Sequence, residues 1–230
     1  MNCQKSKCVR DHHDSIGHEH MVWQELICHL PYAVFSVASS LVVLSFFSVF
    51  TAMHNTPAFV QKGASILFHS FHFMHIVFAA SGTLITYFRF SKSWQKALIV
   101  GIFSPIFFCM MSDAVLPYIG GRMLGVAMSF HVCFVSEWQN VLPFLVVGII
   151  TGFALGSHSD EKHMSYSLNS HASHIFISSL ASTFYLVAHG FTDWYSQIGS
   201  VFLFLVAAVV IPCTFSDVIV PMIVARKRQN

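Results

Sequence analysis

The sequence predicts an all-α polytopic membrane protein: six transmembrane helices built as two inverted-topology three-helix repeats. Three observations carry that expectation. The chain is 55% hydrophobic and 10% charged, whereas soluble domains carry about a quarter charged residues. Its apolar residues fall in runs of the length a bilayer demands of a helix, roughly 20 residues. Finally, a motif late in one run, "CMMSDAVLPYI" at 109–119, returns without a gap as "CTFSDVIVPMI" at 213–223, sharing Cys, Ser, Asp, Pro and Ile.

The chain opens with a polar tail, 1–24, rich in Cys and His and lacking the apolar stretch of a cleavable signal peptide, so the first span is expected to direct insertion. Spans are expected near 30–52, 64–88 and 95–120 in a first repeat (25–123), and near 126–156, 168–190 and 197–225 in a second (124–230). The fourth is overlong for a bilayer, and its first turns, Leu124 to Val135, read as interfacial or bent. Only "SHSDEKHMSY" (157–166) makes a hydrophilic loop of any length. Lys and Arg then set orientation. With the N-terminus in the cytosol, that face carries Lys5, Lys7, Arg10, Arg89, Lys92, Lys96, Lys162, Arg226, Lys227 and Arg228. Lys62 and Arg122 lie opposite, a bias of ten to two. Both termini are therefore expected to be cytosolic.

Two further matches occur in the same order in both halves. "HFMHI" (72–76) pairs with "HASHI" (171–175), and "ELICHLPY" (25–32) pairs more weakly with "EWQNVLPF" (137–144). Each half contributes three expected spans. An odd number means that the second copy enters the membrane from the opposite side. Inverted repeats with a site near the midplane recur among secondary transporters, which is an architectural analogy and not a demonstration of transport.

Asp113, Asp217 and Glu137 fall within expected spans, Glu25 lies at the cytosolic edge of the first, and no Lys or Arg lies deep in any. A charge at the bilayer centre costs about 2.5–3.5 kcal/mol on insertion scales. Such acids need a proton or a bound cation. His72 and His75, like His171 and His174, are spaced i, i+3 and share one helix face. Imidazole with carboxylate suits zinc, iron, nickel or manganese. Pro117 and Pro221, each four residues after the Asp, are expected to leave that Asp's own carbonyl without its helical N–H.

The expected metal ligands are His72, His75, Asp113 and Glu137 on the outer side and His171, His174, Asp217 and Glu25 on the inner side. These are two half-sites, one toward each face, that together resemble a path. His69, His131, His189, Cys109 and Cys213 are accessory candidates, while Ser112 and Ser216 read as structural, bonding a carbonyl of the preceding turn. Cys3, Cys8, His12, His13, His18 and His20 would form a labile metal-capturing tail. Their spacing fits no zinc finger, and cytosolic thiols stay reduced.

The function expected is a transporter or channel for a divalent transition-metal cation. Zinc comes first, with iron, manganese, nickel or cobalt as alternatives, and one repeat would rock against the other. The alternatives are an intramembrane zinc-dependent hydrolase and a proton-coupled permease for a small solute. A hydrolase needs only one site, so the duplication argues against it. Haem is disfavoured, because an i, i+3 pair on one helix cannot supply opposite axial ligands. The expected partners are the lipid bilayer, the metal ion and, optionally, further copies of the chain. Nucleic acid is not expected, since no basic run with interleaved aromatics is present.

Overall fold

The computed structural model describes residues 18–52, 57–156 and 163–226. The described residues are helical, with no strand among them. Two long rods come first, α1 (His18–Ala52) and α2 (Pro57–Phe90). Then α3 (Trp94–Met110), a π turn (Met111–Val115) and α4 (Leu116–Met123) follow one another without a break. After an irregular segment come the short α5 (Cys133–Ser136), α6 (Trp138–Gly156) and α7 (His163–Ala188). A 3-10 turn (Tyr195–Gln197) leads into α8 (Ile198–Thr214), a second π turn (Phe215–Ile219) and α9 (Val220–Arg226).

Five helices are long and apolar enough to cross a membrane: α1, α2, the α3–α4 rod, α6 and the α8–α9 rod. This is consistent with an α-helical membrane protein. Phe35, Phe46, Phe103, Ile150 and Leu203 remain 63–73% exposed on these helices. Such a surface would be a liability in water, and lipid tails are as apolar as the side chains themselves.

The remaining long helix, α7, is more polar, and its polarity is turned inward. Ser178, Ser179, Ser182 and Thr183 are all buried. Ser179 and Thr183 donate to the preceding turn, to Ile175 O at 2.8 Å and Ser179 O at 2.7 Å, while the one Ser182 O–H is shared between Ser178 O at 2.8 Å and Ser112 O of the first π turn at 3.0 Å. That back-bonding satisfies hydroxyls that would otherwise be costly in an apolar core. α7 packs most extensively on α2, with α1, α4 and α8 also against it. The α2–α7 pair is the axis of the fold.

The fourth expected span is bent at its start, in line with the reading of Leu124 to Val135: 124–132 is irregular, α5 is a single turn, and the membrane-length helix begins only at Trp138. The cause is a glycine C-cap: Gly125 adopts φ 84, and Val126 N–H reaches back to Gly121 O at 3.0 Å. This closes α4 in the Schellman manner and turns the chain aside before the next crossing.

α6 lies against α2 along a ridge of glycines spaced by four. A Cβ on Gly148 would meet Val77 O at 2.8 Å, and one on Gly152 would meet Leu84 Cβ at 2.7 Å. Small residues at this spacing let helix backbones approach closely in lipid. Gly148→Ala is therefore expected to destabilise the fold by about 1–3 kcal/mol, read as a lower unfolding temperature in detergent. Gly199→Ala, where nothing lies within 4 Å of the added carbon, should leave it unchanged.

Candidate metal centre

The i, i+3 spacing on α2 stacks His72 and His75 along the face that meets the first π turn. Asp113 Oδ2 accepts Nδ1–H from His72 at 2.8 Å and from His75 at 2.6 Å. Its Oδ1 accepts from Ser112 Oγ at 2.8 Å and from Ser178 Oγ of α7 at 3.0 Å. The second motif repeats the arrangement: Asp217 Oδ2 faces His171 Nδ1 at 3.0 Å and accepts from His174 Nδ1. Asp113, Asp217, His75 and His174 are all 0% exposed.

A carboxylate oxygen facing two imidazoles can only accept from them, so each ring places an Nδ1 proton on the aspartate and turns Nε2 away from it. His29, His69 and His189 show the same polarity, each Nδ1 donating to a backbone carbonyl one turn earlier: Glu25 O at 2.5 Å, Ser65 O at 2.7 Å and Tyr185 O at 3.0 Å. Anchoring of one ring nitrogen by an oxygen is how metal-binding histidines are held and their tautomer fixed. The Nε2 atoms of His69, His171 and His174 are buried without a hydrogen-bond partner. An unmet buried polar atom costs about 1–3 kcal/mol, and a cation would meet that need.

The prolines act one residue earlier than expected. Each π turn shifts the helix register, with Leu116 N–H donating to Met111 O and Val220 N–H to Phe215 O. In that register the missing N–H of Pro117 or Pro221 deprives Ser112 or Ser216 of its partner, not the aspartate. Both carbonyls are capped from the opposite half: Ser112 O accepts from Ser182 Oγ at 3.0 Å, and Ser216 O from Thr83 Oγ1 at 3.0 Å, with Ser104 Oγ at 3.3 Å. The carbonyls that the prolines release thus have hydroxyl partners, in place of the cation the sequence suggested.

The two histidine pairs meet in the middle. The His75 and His174 rings lie 4.5 Å apart. Cys109 Sγ and Cys213 Sγ approach His75 Nε2 at 3.7 Å and 3.8 Å. The donor atoms of His75, His174 and Cys213 all lie within 4.8 Å of one another. Ordinary Zn–N and Zn–S bonds in a tetrahedron put neighbouring N and S about 3.6 Å apart, close to the two cysteine separations. The donor set is drawn from both copies of the motif.

From this centre the imidazoles extend both ways. On one side lie His72 and then His69, with His131 ring-to-ring at 5.6 Å from His69 and His189 stacked on His131 at 5.5 Å. On the other side His171 sits 6.2 Å from His174, and His29 sits 4.3 Å from His171. A glutamate stands at each end of the row. Glu137, in the turn before α6, is 3.0 Å from His69 Nε2. Glu25 shares the other end of the row with His29, its Oε2 lying 3.9 Å from His29 Nδ1. Cys3, Cys8, His12 and His13 lie outside the described residues, and His18 and His20 enter only as backbone of the first turn of α1.

Outside the spans, burial and the neighbouring imidazole of His69 hold His131 below the usual histidine range, so it presents a lone pair at neutral pH. Burial pushes the Cys133 thiol up to about 12, with Glu137 adding to the effect.

Comparison with protein-family models, curated proteins and solved structures finds no match for this chain.

Six participants were not anticipated: His29, Thr83, Ser104, Cys133, Ser178 and Ser182. Thr83 and Ser182 each stand eleven residues after the first His of their pair, so extending the His-x-x-His alignment without a gap finds them. Ser178 has no such signal, because its counterpart is Ala79. Ser182→Ala strands the buried Ser112 carbonyl and should cost about 1–3 kcal/mol, whereas Ser182→Thr should retain the bond. Thermal unfolding of the two variants in detergent checks this.

Proposed function

We propose that the protein moves a divalent transition-metal cation, zinc first among them, across a membrane along the row of imidazoles. The observation carrying this reading is the convergence of ligand atoms of His75, His174 and Cys213 within 4.8 Å of one another, with Cys109 Sγ 3.7 Å from His75 Nε2, at the junction of the two motifs. Two imidazoles and thiol sulfur form a donor set that zinc favours.

The aspartates in this reading are holders and not ligands. Each orients two imidazoles and offers one negative charge, so the pair balances a dication in a medium where an unbalanced charge is costly. A resident structural ion would be content with four ligands. Further imidazoles, His72 and His69 on one side and His171 and His29 on the other, favour passage over retention.

The wider architecture of the proposal is six crossings in two inverted three-helix repeats, with α7 as the fifth crossing. Its support is the return of one local structure, helix, π turn, helix, at both copies of the motif. An even number of crossings puts both termini on one face, and the Lys and Arg bias makes that face cytosolic. Rocking of one repeat against the other would open the centre to each side in turn. An impermeant label reaching a terminal tag on intact cells would contradict this orientation.

The direct test is metal content and flux. Purified wild-type protein should bind zinc, and His75→Ala with His174→Ala should abolish binding at the centre. Asp113→Asn, which keeps the ring contacts but weakens their hold, should lower affinity about 10–100-fold. Proteoliposomes carrying the wild type should pass zinc to a trapped dye, and the double histidine variant should not. Absence of bound zinc and of flux in the wild type would sink the reading.

A further inference from the structure

Beyond the centre, a second group of donors stands at one end of the row. His69 on α2, His131 in the irregular segment and Cys133 at the start of α5 bring their ligand atoms within 4.8 Å of one another. Each is held in place by something other than the group itself. His69 donates Nδ1–H to Ser65 O at 2.7 Å, which turns Nε2 toward the group. Tyr185 of α7 clamps the backbone of His131 on both sides, its hydroxyl accepting from His131 N–H at 3.1 Å and donating to His131 O at 3.3 Å. Cys133 is buried, and His69 and His131 are half-buried.

His69 Nε2 lies 3.0 Å from a Glu137 carboxylate oxygen. With Nδ1–H given to Ser65 O, that contact calls for positive charge on the Nε2 side, from a second ring proton or from a bound cation. A divalent cation meets the need and brings the other donors in with it. It also suits Cys133, because a thiol bound to a metal gives up its proton.

We propose that His69, His131 and Cys133, with Glu137 as a fourth donor, form a second divalent transition-metal site, which loads or releases the ion that the centre holds. The role rests on the transport reading, whereas the site itself does not. Nitrogen, sulfur and carboxylate donors in a set of four match zinc and exclude calcium and magnesium, which take oxygen ligands. Partial exposure suits an ion in exchange with solvent. The central donors, by contrast, are sealed.

The test uses the full chain in detergent with cobalt(II) as the probe, because thiolate-bound cobalt absorbs visibly and reports each site. Wild type should bind two equivalents beyond any held by the N-terminal Cys/His tail, which Cys3→Ser with Cys8→Ser silences. His131→Ala with Cys133→Ser should lose one and keep the central signal. His75→Ala with His174→Ala should lose the other and keep the outer one. A full two equivalents in the His131/Cys133 variant overturns the inference, as does a single equivalent in wild type that only the His75/His174 variant removes. Should the His131/Cys133 variant fail to fold, Glu137→Gln serves in its place, with an expected tenfold or greater weakening of one equivalent only and no change in the other. In proteoliposomes the same variant should raise the zinc concentration for half-maximal flux while leaving the maximal rate nearly unchanged. Two equivalents bound without any wild-type flux overturns the loading role and the transport reading together, and leaves the outer site standing as a static one.

Discussion

In each copy of the motif a single carboxylate oxygen accepts N–H from two imidazoles one helical turn apart, deep among apolar helices. Much else follows from that bond. It explains how a buried aspartate is tolerated, since its charge is spread over two donors. It fixes which ring nitrogen carries the proton, and so which one faces the interior. It also ties the His-bearing helix to the Asp-bearing rod within each half, α2 to the first π turn and α7 to the second. The π turns serve the same end: one extra residue per turn rotates Asp and Ser relative to the helix that precedes them. Bulges of this kind inside helices are frequent at functional sites.

The two copies are alike but not equal. Asp113 has all its acceptors filled, with Ser112 and Ser178 on Oδ1. Asp217 Oδ1 and Ser216 Oγ are buried without partners. The difference traces to single positions: Ser178 of α7 serves the first aspartate, and its counterpart on α2 is Ala79. Gly82 lies hard against the second carboxylate, where an added Cβ would come within 2.7 Å of Asp217 Oδ2. One carboxylate is therefore fully partnered, and the other keeps a buried acceptor without a donor.

The repeated signature was legible because its chemistry needs conspicuous residues: paired histidines at helical spacing, an acid in an apolar run, a proline at fixed distance. The helical, lipid-facing character was legible from composition alone. Other features were hidden for physical reasons. The grouping into two half-sites followed from counting depth along straight helices, and the fold instead brings His75 against His174. Helix crossing, which depth along a single helix does not encode, creates that contact. The start of α6 was blurred because 124–135 is apolar without being helical; only Gly125 marks the turn. The carbonyl released by each proline was displaced by one residue because a π turn leaves no plain trace in residue types. α7 looks polar for a packed helix, and only the fold reveals that Ser178, Ser179, Ser182 and Thr183 all have partners.

The capping hydroxyls have a consequence for how the protein comes to exist. Ser182 closes the gap in the first rod, and Thr83 closes the gap in the second. Each half thus supplies the bond that the other half lacks, and each brings only part of the donor set at the centre. Separated from its counterpart, either segment would keep a carbonyl that its proline leaves unpaired, so the two motifs are expected to reach their final shape together.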